Sequence, residues 1–191
     1  GGFGPLFCIG GGMALTTTET SISNSALVKL GAERINSLTE TNRRAQLCNE
    51  QYEKVRDEVL RAHPWNFAIK RMELSQLTTT PAFEYDYEYL LPSDCLRVLE
   101  LHDNTIKWSI EADRKLLSDS ATVKIKYISR VTATAEYDSL FIEALSFRLA
   151  ADISYALVQS SSLSQKLLGE YENVLSAARS IDAQEGTAPD L

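Results

Sequence analysis

The hydrophobic period of this chain changes twice, and a proline marks the first change. From Asn42 to His63, apolar side chains recur every three or four residues, at Ala45, Cys48, Tyr52, Val55 and Val59. That spacing puts them on one face of a helix and leaves Glu50, Glu53, Lys54 and Asp57 outside it. Pro64 disfavours helical geometry at His63, so the helix ends there. Trp65 and Phe67 alternate directly after the proline, and from about Phe83 to Ile128 the period is two. A stripe at helical spacing does not serve a strand, nor the reverse, so helices and sheet must share a fixed junction.

An earlier helix is expected from about Glu19 to Leu30, with Ile22, Ala26, Leu27 and Leu30 on one face and Gly31 as its left-handed stop. Asn36 to Thr41 reads as a loop. In the middle block, Glu84, Asp86 and Glu88 alternate with Tyr85, Tyr87 and Tyr89, so an acidic strand face is expected. His102-Asp103-Asn104-Thr105 has the chemistry of a hairpin turn between Val98–Leu101 and Ile106–Ile110. Val123 to Tyr127 alternates with Lys124 and Lys126 on its polar side. Pairing it with the acidic strand would set opposite charges across from one another.

The helical period returns near Tyr137. Phe141, Ala144, Leu145, Leu149, Ile153 and Leu157 share a face, and Arg148 can meet Asp152 one turn on. Ser160-Ser161-Ser162 interrupts, and a last helix carries Leu167, Leu168, Tyr171, Val174, Leu175 and Ala178. The expected fold is therefore α+β, a four-helix bundle with a protruding β-rich insertion between helices 2 and 3. Its expected parts are a bundle over 19–66 and 136–185 and an insertion over 67–135. A flexible segment at 1–18, where the glycine-rich start reads as a linker and Met13 as a natural beginning, and a mobile tail at 186–191 complete the division.

Composition narrows the function classes. With 44% hydrophobic and 24% charged residues, the chain is an ordinary globular protein rather than a disordered one. Its net charge of −7 argues against DNA as a bound partner, since phosphate binding needs clustered Lys and Arg. No stretch approaches the about 18 apolar residues of a membrane-spanning helix. Cys8, Cys48 and Cys95 are odd in number and far apart, so neither a disulfide framework nor a zinc site follows.

Chemistry has few candidates. His63 lies at a helix C-terminus, where an imidazole is favoured by the helix dipole, and it is expected to be structural. Cys95 follows Ser93-Asp94 and invites a cysteine hydrolase with one of the two histidines, but a packed thiol is the expectation because no catalytic signature surrounds it. Glu84, Asp86 and Glu88 form a candidate acidic surface that lacks the loop and glycine of a calcium site, so a solvated or ion-paired face is expected. The sequence holds no phosphate-binding glycine loop, no HExxH and no GxSxG, so no catalytic residue, cofactor or metal is assigned.

Two segments carry a resemblance. One is Arg56 to Ala68, ending in His63-Pro64-Trp65-Asn66-Phe67-Ala68. The other is Tyr89 to Val98, containing Leu91-Pro92-Ser93-Asp94-Cys95-Leu96-Arg97. Ala26 to Gly31 and Phe141 to Ala150 extend it, so it covers about Ile22 to Glu185. On these residues the chain resembles the tail tubular protein A family, the head-to-tail adaptors of short-tailed bacteriophages. Gly1 to Gly12 departs from the pattern.

That resemblance implies a structural virion protein without catalytic residues. It implies a homo-oligomeric ring of twelve copies at the portal vertex, between the portal protein and a tail nozzle of the tail tubular protein B kind. DNA would pass through without specific binding. His63, Pro64, Trp65, Asn66 and Phe67 would form the structural junction, with Leu91, Pro92, Asp94 and Arg97 as a strand motif in the insertion. Twelve copies at −7 sum to a formal charge of about −84, which would keep a channel wall from holding DNA phosphates. An adaptor-like module with a non-virion partner and a small cysteine hydrolase are the alternative readings.

Overall fold

The computed structural model describes residues 17–185. The expected flexible start and mobile tail lie outside them, apart from Thr17 and Thr18. Thr18 caps the first helix: its hydroxyl accepts from the Ser21 amide, and the Ser21 hydroxyl accepts from the Thr18 amide.

Four helices and six strands follow in the order α1 (Glu19–Lys29), α2 (Arg43–Ala62), β1 (Ile69–Glu73), β2 (Tyr87–Leu90), β3 (Cys95–Leu101), β4 (Trp108–Glu111), β5 (Lys115–Ser118), β6 (Lys124–Ser129), α3 (Ser139–Val158) and α4 (Ser161–Glu185). The helix ends follow local chemistry. Gly31, at φ +67°, closes α1, and the side chains of Asn42 and Asp138 cap the starts of α2 and α3. His63 ends α2 in extended geometry ahead of Pro64. Gln159 breaks α3 from α4 in a left-handed conformation.

The chain is α+β, but the expected four-helix bundle with an insertion does not form. A bundle needs each helix to flank two others around one axis. Here α1, α2 and α4 each pack chiefly on α3, and α1 and α2 meet only briefly. α2 also touches β3 and β6, to an extent similar to its contact with α1. Ala68, Ile128 and Val131 are buried in the helical core, with Leu96 and Leu99 packed against it. The strands between α2 and α3 are thus structural partners of the helices, not a projection from a finished bundle.

The strands form two antiparallel sheets. The first has the order β1-β6-β3 and the second β2-β5-β4. A second core unites them: Val98, Leu101, Ile125 and Tyr127 of the first sheet meet Tyr89 and Leu116 of the second. The first sheet therefore has helices against one face and the second sheet against the other. Register shifts in β3, between Cys95 and Arg97 and again between Val98 and Glu100, re-aim its side chains between the two cores.

Two expected pairings are replaced. His102 to Thr105 is no hairpin, because β3 and β4 belong to different sheets. Its turn chemistry is present, since the Asp103 carboxylate accepts from the Thr105 amide at 2.8 Å. β6 also does not pair with the acidic tyrosine strand. Its lysines find acids on its actual neighbours: Lys124 lies 3.6 Å from Glu73 of β1, and Lys126 lies 3.0 Å from Glu100 of β3. Opposite-charge complementarity was satisfied by more than one partner, so it did not specify the pairing.

Because α3 is the shared partner, a cavity on its buried face should weaken the whole helical layer. Leu149→Ala, at a fully buried position, is expected to cost about 2–5 kcal/mol in denaturant unfolding. A loss below about 1 kcal/mol would mean that α3 is not the hub.

Candidate functional site

The candidate site is the corner where α2 gives way to β1. Pro64 lacks an amide hydrogen, and the chain turns through it with the Trp65 amide donating to the His63 carbonyl at 2.9 Å. The turn drives Trp65 inward. Its ring is 1% exposed, and its indole Nε1 donates to the Val59 carbonyl at 3.0 Å, satisfying a carbonyl of the last helical turn. A short 3-10 turn over Asn66–Ala68 then places Phe67 beside it.

Four rings and an imidazole pack here. Phe141 stands edge-on to Trp65 at 5.3 Å and to Phe67 at 5.2 Å. Tyr137 lies 4.6 Å from Phe141 and 5.7 Å from Phe67. His63 is buried and meets Trp65 edge-on at 4.8 Å. Edge-to-face arrangements suit the quadrupoles of the rings. The Tyr137 hydroxyl donates to the Val131 carbonyl at 2.9 Å, and burial pushes its pKa up to about 12, so it stays a neutral donor.

The strand motif lies next to this corner. Cys95 of β3 is opposite Ser129 of β6, and Ile69 of β1 is opposite Ile128, so both motifs open strands at the same end of the first sheet. Asp94 ties that end together. Its carboxylate accepts from Lys70 Nζ at 2.9 Å and from the Tyr127 hydroxyl at 3.3 Å, while its carbonyl accepts from the Arg130 amide at 2.7 Å. Ser129 donates to the Ala68 carbonyl, and Arg130 reaches Asp57 of α2 at 2.7 Å. Pro92 accepts from the Cys95 amide in the turn between β2 and β3, with Leu91 buried beside it and Arg97 exposed.

Cys95 is half-buried, and burial followed by the charge of Asp94 raises its thiol pKa, which works against a thiolate nucleophile. His102 follows the opposite end of β3, seven residues on from Cys95 at about 3.4 Å per residue, so it does not serve that thiol as a base. Among the described residues, no group of His, Cys, Asp and Glu is arranged to hold a metal ion.

The expected acidic surface is split. The strand begins only at Tyr87, so Glu84 and Asp86 fall on an exposed loop, Glu84 at φ +73°. Glu88 alone turns inward, accepting from the Thr79 hydroxyl at 2.6 Å and pairing with Lys115 at 3.0 Å. The Thr79 hydrogen bond and then Lys115 hold its pKa below the ordinary glutamate value.

The part played by Tyr137 escaped the sequence reading. Its spacing of four from Phe141 at the start of α3, matching the Trp65 and Phe67 pair at the end of α2, was the available signal. No known family model matches the chain, and no curated protein matches it either. Among the described residues, no helix is long and apolar enough to cross a membrane.

Trp65→Ala is expected to cost about 3–5 kcal/mol in denaturant unfolding, whereas Lys70→Ala, at a half-exposed ion pair, should change stability by about 1 kcal/mol or less. Equal effects would show that the corner is not the more important anchor. For Glu88, a lowered folded-state pKa means a contribution complete above the ordinary value of 4.5 and lost as pH falls through the lowered one. The stability gap between wild type and Glu88→Gln should therefore be widest above pH 4.5 and close on acidification. A gap that widens in acid contradicts the assignment.

Proposed function

We propose that this chain is a structural virion subunit, a head-to-tail adaptor of a short-tailed bacteriophage. Twelve copies would form a ring at the portal vertex, with the portal protein on one side and the tail nozzle on the other. The subunit would be made in the host cytoplasm and act in the virion, where it lines the path of the DNA without holding it.

The observation that carries this reading is the meeting of the two motif segments. His63–Ala68 and Leu91–Arg97 are separated in sequence, yet they open the two outer strands of one sheet on either side of β6. A connector must keep one attachment surface at a fixed angle to another. A corner built from buried rings and backbone-directed hydrogen bonds resists bending more than a solvated linker would. The net charge of −7 also suits a channel through which phosphates pass, because an acidic wall repels them.

No step of this role calls for a nucleophile, a metal or a cofactor. What it requires is shape, self-association and two partner surfaces. The experiment is reconstitution: the purified chain is mixed with its cognate portal ring and imaged by electron cryomicroscopy. A coaxial ring on the portal, able to accept the nozzle, is the expected product. Failure to add one, with folded protein in excess, would sink the proposal and favour a module with a non-virion partner.

A further inference from the structure

The two ends of the second sheet carry opposite charge. At one end, where Leu90 and Glu111 both oppose Lys115, a groove of about 330 Å³ opens between this sheet, β3 and the end of α2. Leu96 and the half-exposed Ile110 contribute apolar lining. Arg61, Arg97 and Arg114 line it as well, from α2, β3 and the turn before β5.

None of these three arginines forms an ion pair among the described residues, although Arg44, Arg56, Arg130 and Arg148 all do. Beside these three arginines the groove is lined by the carboxylate of Glu111, in a chain whose net charge is −7. Arg114 holds φ +58°, a conformation rare for a residue with a side chain, and its carbonyl is fixed by the Leu91 amide at 2.9 Å. Unpaired positive charge gathered over apolar surface is set for an anionic partner with an apolar anchor.

Such a partner stands at the other end of the sheet. Gln76 bridges to Tyr89, and the Leu77 amide donates to the Glu88 carbonyl, so the chain runs antiparallel beside β2. Residues 78–86 therefore project past Tyr87, away from the groove, which lies at the Leu90 end. Phe83 in that loop is 79% exposed, and Glu84 and Asp86 beside it are exposed and form no ion pair among the described residues. A solvated phenyl ring flanked by carboxylates has the composition of an interface anchor.

We infer that the Phe83–Asp86 loop of one copy docks in the Arg61, Arg97 and Arg114 groove of the next copy. Glu84 and Asp86 bring two carboxylates to the three arginines, and the ring of Phe83 covers Ile110. Because loop and groove lie at opposite ends of one sheet, the contact is head-to-tail. Repeated, it closes a ring where the rotation allows and runs on as a filament where it does not. The inference rests on the connector reading, whose ring it supplies with a subunit contact.

Sedimentation velocity over a concentration series at low salt tests it. Wild type is expected to associate, and Phe83→Ala to weaken association at least about tenfold with the fold intact by circular dichroism. Glu84→Arg/Asp86→Arg alone sets positive loop against positive groove, and Arg97→Glu/Arg114→Glu alone sets negative against negative, so each should stay monomeric. Mixed, the two restore both pairings and should associate again. A monomeric wild type, unchanged association of the variants, or a mixture that stays monomeric overturns the inference. So does a groove variant that loses binding of a labelled DNA duplex while still self-associating, which would give the groove to phosphate. Portal reconstitution separates the two ideas. Variants that still build the ring overturn this contact alone, whereas a wild type that self-associates but never adds to the portal overturns the connector reading alone.

Discussion

Everything between α2 and α3 depends on a closure made by aromatic rings. The chain leaves the helices through Trp65 and Phe67 and returns through Tyr137 and Phe141, and these four side chains pack on one another. Bringing the ends of so long a segment together costs entropy, but that cost grows only with the logarithm of its length. A few well-buried rings are enough to hold it. Once they are in place, the Ser129 hydroxyl bond to Ala68 and the Arg130 pair with Asp57 set the first sheet against α2.

The same economy shapes the helical layer. The buried side of α3 includes Ala144, Ser146, Ala150, Ala151 and Ser154, small residues that let other helices come close. Ser146 and Ser154 return their hydroxyls to carbonyls of their own helix, at Ile142 and Ala151, so their burial leaves no donor unmet. Ser164 of α4 donates to the same Ala151 carbonyl, which fastens α4 near its start. Arg148 adds a polar clamp, binding Glu58 of α2 at 2.9 Å and Asp152 of its own helix at 2.5 Å.

The helices and their ends were legible in the sequence, because Gly31, Asn42 and Pro64 act on neighbouring backbone and need no distant partner, whereas β1 and β5 were not marked as strands. Arrangement was not. A stripe such as Ala45, Cys48, Tyr52 and Val59 says that a face is buried, but it does not say whether helix or sheet covers it. For that reason α2 read as a bundle member, although it also supports a sheet. The bulges of β3 hid a further fact, since strict alternation cannot show one strand serving two cores. In the candidate site, the packing role of His63 to Phe67 followed from the proline and aromatics. Arg61 and Arg114 gave no signal, because three separate elements bring them beside Arg97.

β1 forms the outer edge of the first sheet, and four of its five residues, Lys70 to Glu73, are exposed. One side of that strand offers backbone amides and carbonyls with which another chain's strand could pair. Lys70, Arg71 and Glu73 place hydrated charges along it, and stripping their water to add a strand is costly. Free subunits crowded together are thereby guarded against growing sheet upon sheet, and their encounters are left to side chains that can discriminate.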